Sequence, residues 1–89
     1  MENEYAKKYT KKEIEYNTKM ILYYMGKLAE RLKQGETPVL WVGDVIKYAA
    51  NLQTFYSRAE DLEIWESLNF PEIYESALAE AKKEIELED

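Results

Sequence analysis

Four carboxylates, Glu60, Asp61, Glu63 and Glu66, lie in the middle of the chain, and Glu60, Glu63 and Glu66 recur at three-residue intervals. On a helix those intervals bring side chains onto one face, where a carboxylate pair could hold a divalent cation. A calcium loop, however, needs a central glycine, and a di-metal helical site draws inward-facing carboxylates from several helices, often with histidine. The chain has no His and no Cys, which removes disulfides, thiolate chemistry and the customary zinc, copper and haem ligands. Ser57 and Ser67 have no imidazole to activate them, and Gly26, Gly35 and Gly43 stand singly instead of forming a phosphate-cradling loop. General acid–base work needs a pKa moved toward neutrality, usually by burial, and these carboxylates read as outward-facing. The expectation is a protein that is not an enzyme, with no catalytic residue, no cofactor and no metal.

A second constellation is Tyr9, Tyr16 and Tyr23, spaced by seven, with Met20 and Tyr24 beside them and Lys12, Lys19, Lys27 and Arg31 flanking the row. Interleaved bases and aromatics can bind nucleic acid through phosphate contacts and base stacking. Against this stand a net charge of −6 and the absence of a dense Arg cluster or a recognisable motif. The tight connection from Leu32 to Trp41 also invites a helix–turn–helix reading. The helix after it, however, offers Asp44, Lys47, Asn51 and Gln53, only one of them basic. Direct nucleic-acid binding is therefore disfavoured.

The charge is divided unevenly. Met1 to Lys33 carries eight bases against five acids, and Gln34 to Asp89 carries thirteen acids against four bases. The lysines of the first part would suit the acidic end of the second, within one chain or across a dimer; such pairs bias orientation more than they add energy. At 46 % hydrophobic and 34 % charged, the chain is too apolar for disorder and too broken by charge to span a membrane. The opening residues lack the pattern of a secretory leader, so a cytoplasmic location is expected.

The elements that would carry these residues read as all-α, a small three- or four-helix bundle with short connections, in one domain over 1–89. Thr10 and Glu13 have capping-box spacing, so a first helix is predicted over about 10–33, with Tyr5 to Tyr9 able to extend it backward by a turn. Gly35 is its terminator. Thr37 and Pro38 read as N-cap and first helical position of a second helix, about 38–62. Along it Trp41, Val45, Tyr48, Leu52, Phe55, Ala59 and Leu62 alternate by four and three. A short strand over Val39–Val42, with Asp44 capping a shorter helix, is the competing reading. Beyond a short segment at 63–68, Asn69 with Glu72 and Pro71 marks a third helix over about 70–87. Its inner face would be Phe70, Ile73, Tyr74, Ala77, Leu78, Ala81 and Ile85, whose alanines permit close approach. The predicted core comprises Ile14, Ile21, Leu28, Trp41, Val45, Leu52, Phe55, Ala59, Ile73, Ala77 and Ile85.

On the first helix, Ile14, Ile21, Met25, Leu28 and Leu32 form a tight stripe, and the tyrosine row points roughly 120–160° away from it at about 100° per residue. The combined arc exceeds the roughly 100° that a surface helix needs. Three readings stay open: the domain's own helices cover both sides, the Tyr row is an interface with a second copy or another protein, or the aromatics are exposed without a role.

The functional expectation is a non-catalytic protein–protein interaction module, a small regulatory or inhibitory protein acting as a homodimer or on a larger partner. Its interaction residues would be Tyr9, Tyr16, Met20, Tyr23, Tyr24 and Trp65. The first alternative is an acidic mimic of nucleic acid that occupies the basic cleft of a DNA- or RNA-binding enzyme through Glu63, Glu66, Glu75 and Glu80. The second is a weak nucleic-acid-binding module using the Lys/Tyr face. In size, acidity and aromatic content the chain resembles small accessory proteins of phages and mobile elements, some of which inhibit host enzymes. That likeness is one of composition and assigns no residue.

Overall fold

The computed structural model describes residues 2–37 and 39–88. Three helices, α1 (Glu2–Lys33), α2 (Val39–Asp61) and α3 (Phe70–Glu88), are joined by short connections, the second of which holds a 3₁₀ turn at Trp65–Ser67. The fold is all-α, with no strand among the described residues. Val39–Val42 is helical rather than extended, in phase with the stripe that begins at Trp41. The placement of Pro38 at the first helical position lies outside the described residues.

α1 begins at Glu2, eight residues earlier than the Thr10 cap predicts. Thr10 lies inside the helix, fully buried, so its hydroxyl caps nothing. A hydroxyl three residues before a glutamate is equally compatible with a helix interior. The added turns carry their own contacts: Tyr5 stacks on Tyr9 one turn later, with ring centroids 6.4 Å apart, and Tyr9 meets the ring of Phe55 on α2 edge-on at 6.0 Å. Asn17, also fully buried, donates from its amide to the Glu13 carbonyl at 2.7 Å.

Both connections begin with the same helix stop. After α1, Gly35 N–H donates to the Leu32 carbonyl and Glu36 N–H to the Arg31 carbonyl, each at 3.0 Å, with Gly35 at φ 78°. After α2, Glu63 N–H donates to Glu60 and Ile64 N–H to Ala59, again at 3.0 Å, with Glu63 at φ 59°. These paired bonds define a Schellman stop, and its left-handed residue is usually glycine. The second stop is secured by packing, because Ile64 and Ala59, which its longer bond joins, are both buried in the core. α3 starts as its sequence predicts: the Asn69 side-chain oxygen accepts from Glu72 N–H at 3.2 Å.

α1 is the axis of the domain. α2 runs antiparallel and α3 parallel to it, each packed on α1, and no Cα of α2 comes within 8 Å of α3 among the described residues. The closed end of the bundle clusters Ile14, Ala59, Ile64, Leu68 and Ile73, with Leu52, Phe55, Tyr56, Leu62 and Phe70 packed around them. α3 approaches α1 through Ala77 and Ala81, both buried, and through Gly26, where a Cβ would stand 2.7 Å from Ile85 Cδ1. The result is a rod of 50 × 22 × 18 Å with a radius of gyration of 14.8 Å; a compact chain of this length has about 12 Å.

Candidate protein-docking surface

The tyrosine row faces the chain's own second and third helices. Tyr48 of α2 lies between one of its members and the adjacent Tyr24: Tyr16 meets it edge-on at 6.2 Å and Tyr24 stacks on it at 5.8 Å. Tyr23 packs edge-on to Tyr24 at 4.9 Å and donates its hydroxyl to the Glu88 carboxylate at the end of α3. Burial, then that bond to a carboxylate, push the Tyr23 phenol pKa upward. Tyr23 is buried, Met20 and Tyr24 are half-buried, and Tyr9 and Tyr16 are exposed. Tyr23 is thus not accessible to a partner here. Trp65 is 37 % exposed, yet it packs on Tyr56 at 5.2 Å and on Phe70 at 5.1 Å, which ties the 3₁₀ turn to α2 and α3.

Two of the lysines beside that row are paired with α3, while Lys12 is exposed and Arg31 pairs with Glu36. Lys19 pairs with Glu84 at 2.5 Å and Lys27 pairs with Glu88, and each carboxylate pushes its ammonium pKa upward. Glu88 moves the other way, held below its usual value near 4.5 chiefly by the bond from Lys27 and then by that from Tyr23. Lys27 and Arg31 also cover the Trp41 ring, at 5.3 Å and 5.1 Å from its centroid, an attraction of cation and aromatic face. Tyr16, Lys19, Tyr23 and Lys27 of this face thus make contacts with α2 and α3.

Glu63, Glu66, Glu75 and Glu80 are exposed. Glu60, Asp61, Glu63 and Glu66 do not converge: among the described residues, no three acidic side chains come together to hold a metal ion. On α3 the exposed Lys82 and Lys83 interrupt the row of glutamates.

The largest apolar exposure lies where sequence reasoning assigned no site. On α2, Val39 is 73 %, Leu40 84 % and Ile46 64 % exposed, with Val42 also open to solvent. At the neighbouring end of α1, Met25 and Leu32 are exposed as well, although both belong to the stripe read as inward-facing. A shallow cavity of about 310 Å³ lies there, lined by Arg31, Glu36, Thr37, Val39, Leu40 and Trp41. The signal was present in the sequence: Val39, Val42, Ile46, Ala49 and Gln53 follow three–four–three–four spacing, a second helical stripe. The more strongly apolar stripe from Trp41 to Leu62 on the same helix conceals it.

No family model matches the chain, and the searches of curated proteins and of solved structures found no match. No described helix is long and apolar enough to cross a membrane.

Proposed function

We propose that this protein is a non-catalytic protein–protein interaction module, a small regulatory or inhibitory protein that docks through the outward face of α2. The observation that carries the reading is that α2 has two apolar stripes and, among the described residues, packs along its length on α1 alone, meeting the 3₁₀ turn and Phe70 only near its C-terminal end. Trp41, Val45, Tyr48, Leu52 and Phe55 are half-buried and Ala59 is buried, whereas Val39, Val42, Ile46 and Ala49 on the other side are exposed. Burying apolar surface is worth roughly 25 cal/mol per Å². An open stripe of this kind on a helix marks a binding face, while singly scattered apolar residues do not.

The electrostatics support the same reading over nucleic-acid binding, because Lys19 and Lys27 are held by Glu84 and Glu88. A reading that uses the Lys/Tyr face would have to break those pairs. The test is affinity capture from the source cells, read by mass spectrometry, with parent protein and the Ile46→Lys variant side by side. A stoichiometric protein retained by the parent and lost with Ile46→Lys supports docking through α2. Identical profiles for both count against it.

A further inference from the structure

We infer that the occupant of the outward face of α2 is a second copy of the same helix, packed antiparallel about a two-fold axis beside Ile46. This deepens the docking reading above and rests on it.

The first observation is a glycine for which the single chain supplies no need. Gly43 lies within α2, where glycine costs about 1 kcal/mol relative to alanine. It does not adopt the left-handed conformation, and nothing comes within 4 Å of where its Cβ would be. Gly26 and Gly35 are accounted for, one by Ile85 and one by its positive φ. A bare backbone on an open helix face has a physical use when another helix crosses closely over it. Small residues on each side extend that bare strip, since Gly43, Ala49 and Ala50 are all exposed on the outward side.

The second observation is that the stripe is complementary to its own reverse. At about 100° per residue, Val39, Val42, Ile46, Ala49 and Gln53 centre about 120° away from the α1-facing stripe. Two such helices running antiparallel with Ile46 at the axis bring Val42 opposite Ala50, Gly43 opposite Ala49, and Val39 opposite Gln53. Small thus meets small at Gly43 and Ala49 on both sides of the axis, where the backbones can approach closely, and Val42 packs over Ala50, so that one patch meets itself as an isologous two-fold contact requires. From Val39 to Ser57 the stripe and its small flanking residues carry no charged side chain. Two chains of net charge −6 can therefore meet along it without opposing like charges in the seam. Antiparallel pairing also continues the α1–α2 arrangement, so that two hairpins would form a four-helix layer with α2 and its copy inside.

The third observation is area. The chain exposes 6590 Å², against about 5,500 Å² for a compact monomer of this size. The excess, on the order of 1,000 Å² and spread along a rod-shaped chain, is large enough to include the roughly 800 Å² that one partner contributes to a stable interface.

Sedimentation equilibrium of the full chain from about 1 µM to 1 mM tests the inference. The weight-average mass of the parent is expected to rise from one chain toward two. Ile46→Lys and Gly43→Leu are each expected to weaken association at least tenfold while far-UV circular dichroism stays helical. Because the chain has no cysteine, single introduced thiols report geometry. Ile46→Cys is expected to give an oxidised dimer readily and Ser57→Cys, three turns from the axis, not to do so. Efficient cross-linking at both positions overturns the antiparallel arrangement. A parent that is monomeric throughout, or a dimer indifferent to both substitutions, overturns the second copy as occupant. The docking reading fails separately, when capture of a heterologous protein is also indifferent to Ile46→Lys.

Discussion

At Ile14 the apolar stripe of α1 is fully buried, because the end of α2, the 3₁₀ segment and the start of α3 close over it; at Met25 and Leu32, three to five turns later, the same stripe is 49 % and 58 % exposed. The residues are of the same kind and the helix is continuous. The difference is the neighbours. At the closed end, Ile64, Leu68 and Ile73 complete the core. At the open end, the turn Gln34–Thr37 leads directly from one helix into the next and supplies no apolar cover. Periodicity thus fixes which residues share a face, and tertiary connection decides whether that face is filled.

A truncation at each end of α1 and α2 should separate filled from open surface most strongly. Ile14→Ala removes a fully buried side chain and is expected to cost about 3 kcal/mol, a large share of the stability of a small domain. Leu40→Ala at the open end, where the side chain is 84 % exposed, is expected to stay within about 0.5 kcal/mol in the monomer. Urea melts at low protein concentration, where a dimer contributes nothing, measure both. Comparable losses at the two positions would mean that the open end is covered in solution.

Much of this architecture was legible in the residues. The Trp41 to Leu62 alternation placed α2 and its inner face, and Asn69 with Glu72 placed the start of α3 through a bond that forms as the spacing requires. Local signals of that sort report local chemistry and survive folding. The start of α1 was misplaced because Thr10 and Glu13 satisfy a cap pattern that the fold leaves unused. The outward stripe of α2 was missed for a different reason. Two stripes on one helix compete in a periodicity argument, and their burial is settled by which neighbours exist. The tyrosine row illustrates the same limit: its seven-residue spacing located a face, and Tyr48 and Glu88 of other helices determine what that face touches.

A second prediction concerns the ties between α1 and the end of α3. Glu88 has a folded-state pKa below its unfolded value, so what it contributes is present above the unfolded pKa and is lost as pH falls through the folded one. Lys19 and Lys27 have raised values, so their contribution is present below the unfolded value near 10.5 and is lost as pH rises through the folded one. The last turns of α3 should therefore be best protected between about pH 4.5 and 10.5. Below that window, amide hydrogen exchange in Glu84–Glu88 is expected to accelerate ahead of exchange around Ile14, once intrinsic rates are corrected for pH. Uniform acceleration across the molecule would show that these pairs do not hold the helix end.

The two turns share one stop and differ in the residue at its left-handed position. Gly35 occupies that conformation at the open end with nothing near its Cβ position, so Gly35→Ala should cost about 1 kcal/mol through backbone strain alone. Glu63 already bears such strain at the closed end, where Ile64 and Ala59 are locked into the core on either side of it. Glu63→Gly should relieve it and stabilise the fold by about 0.5 kcal/mol, less than the full strain because glycine also frees the unfolded chain. Opposite signs in matched thermal melts would show that the closed end tolerates an unfavourable turn residue because its core determines the path. Were Glu63→Gly instead destabilising, the Glu63 side chain would have a stabilising role of its own, and packing alone would not explain why that turn forms.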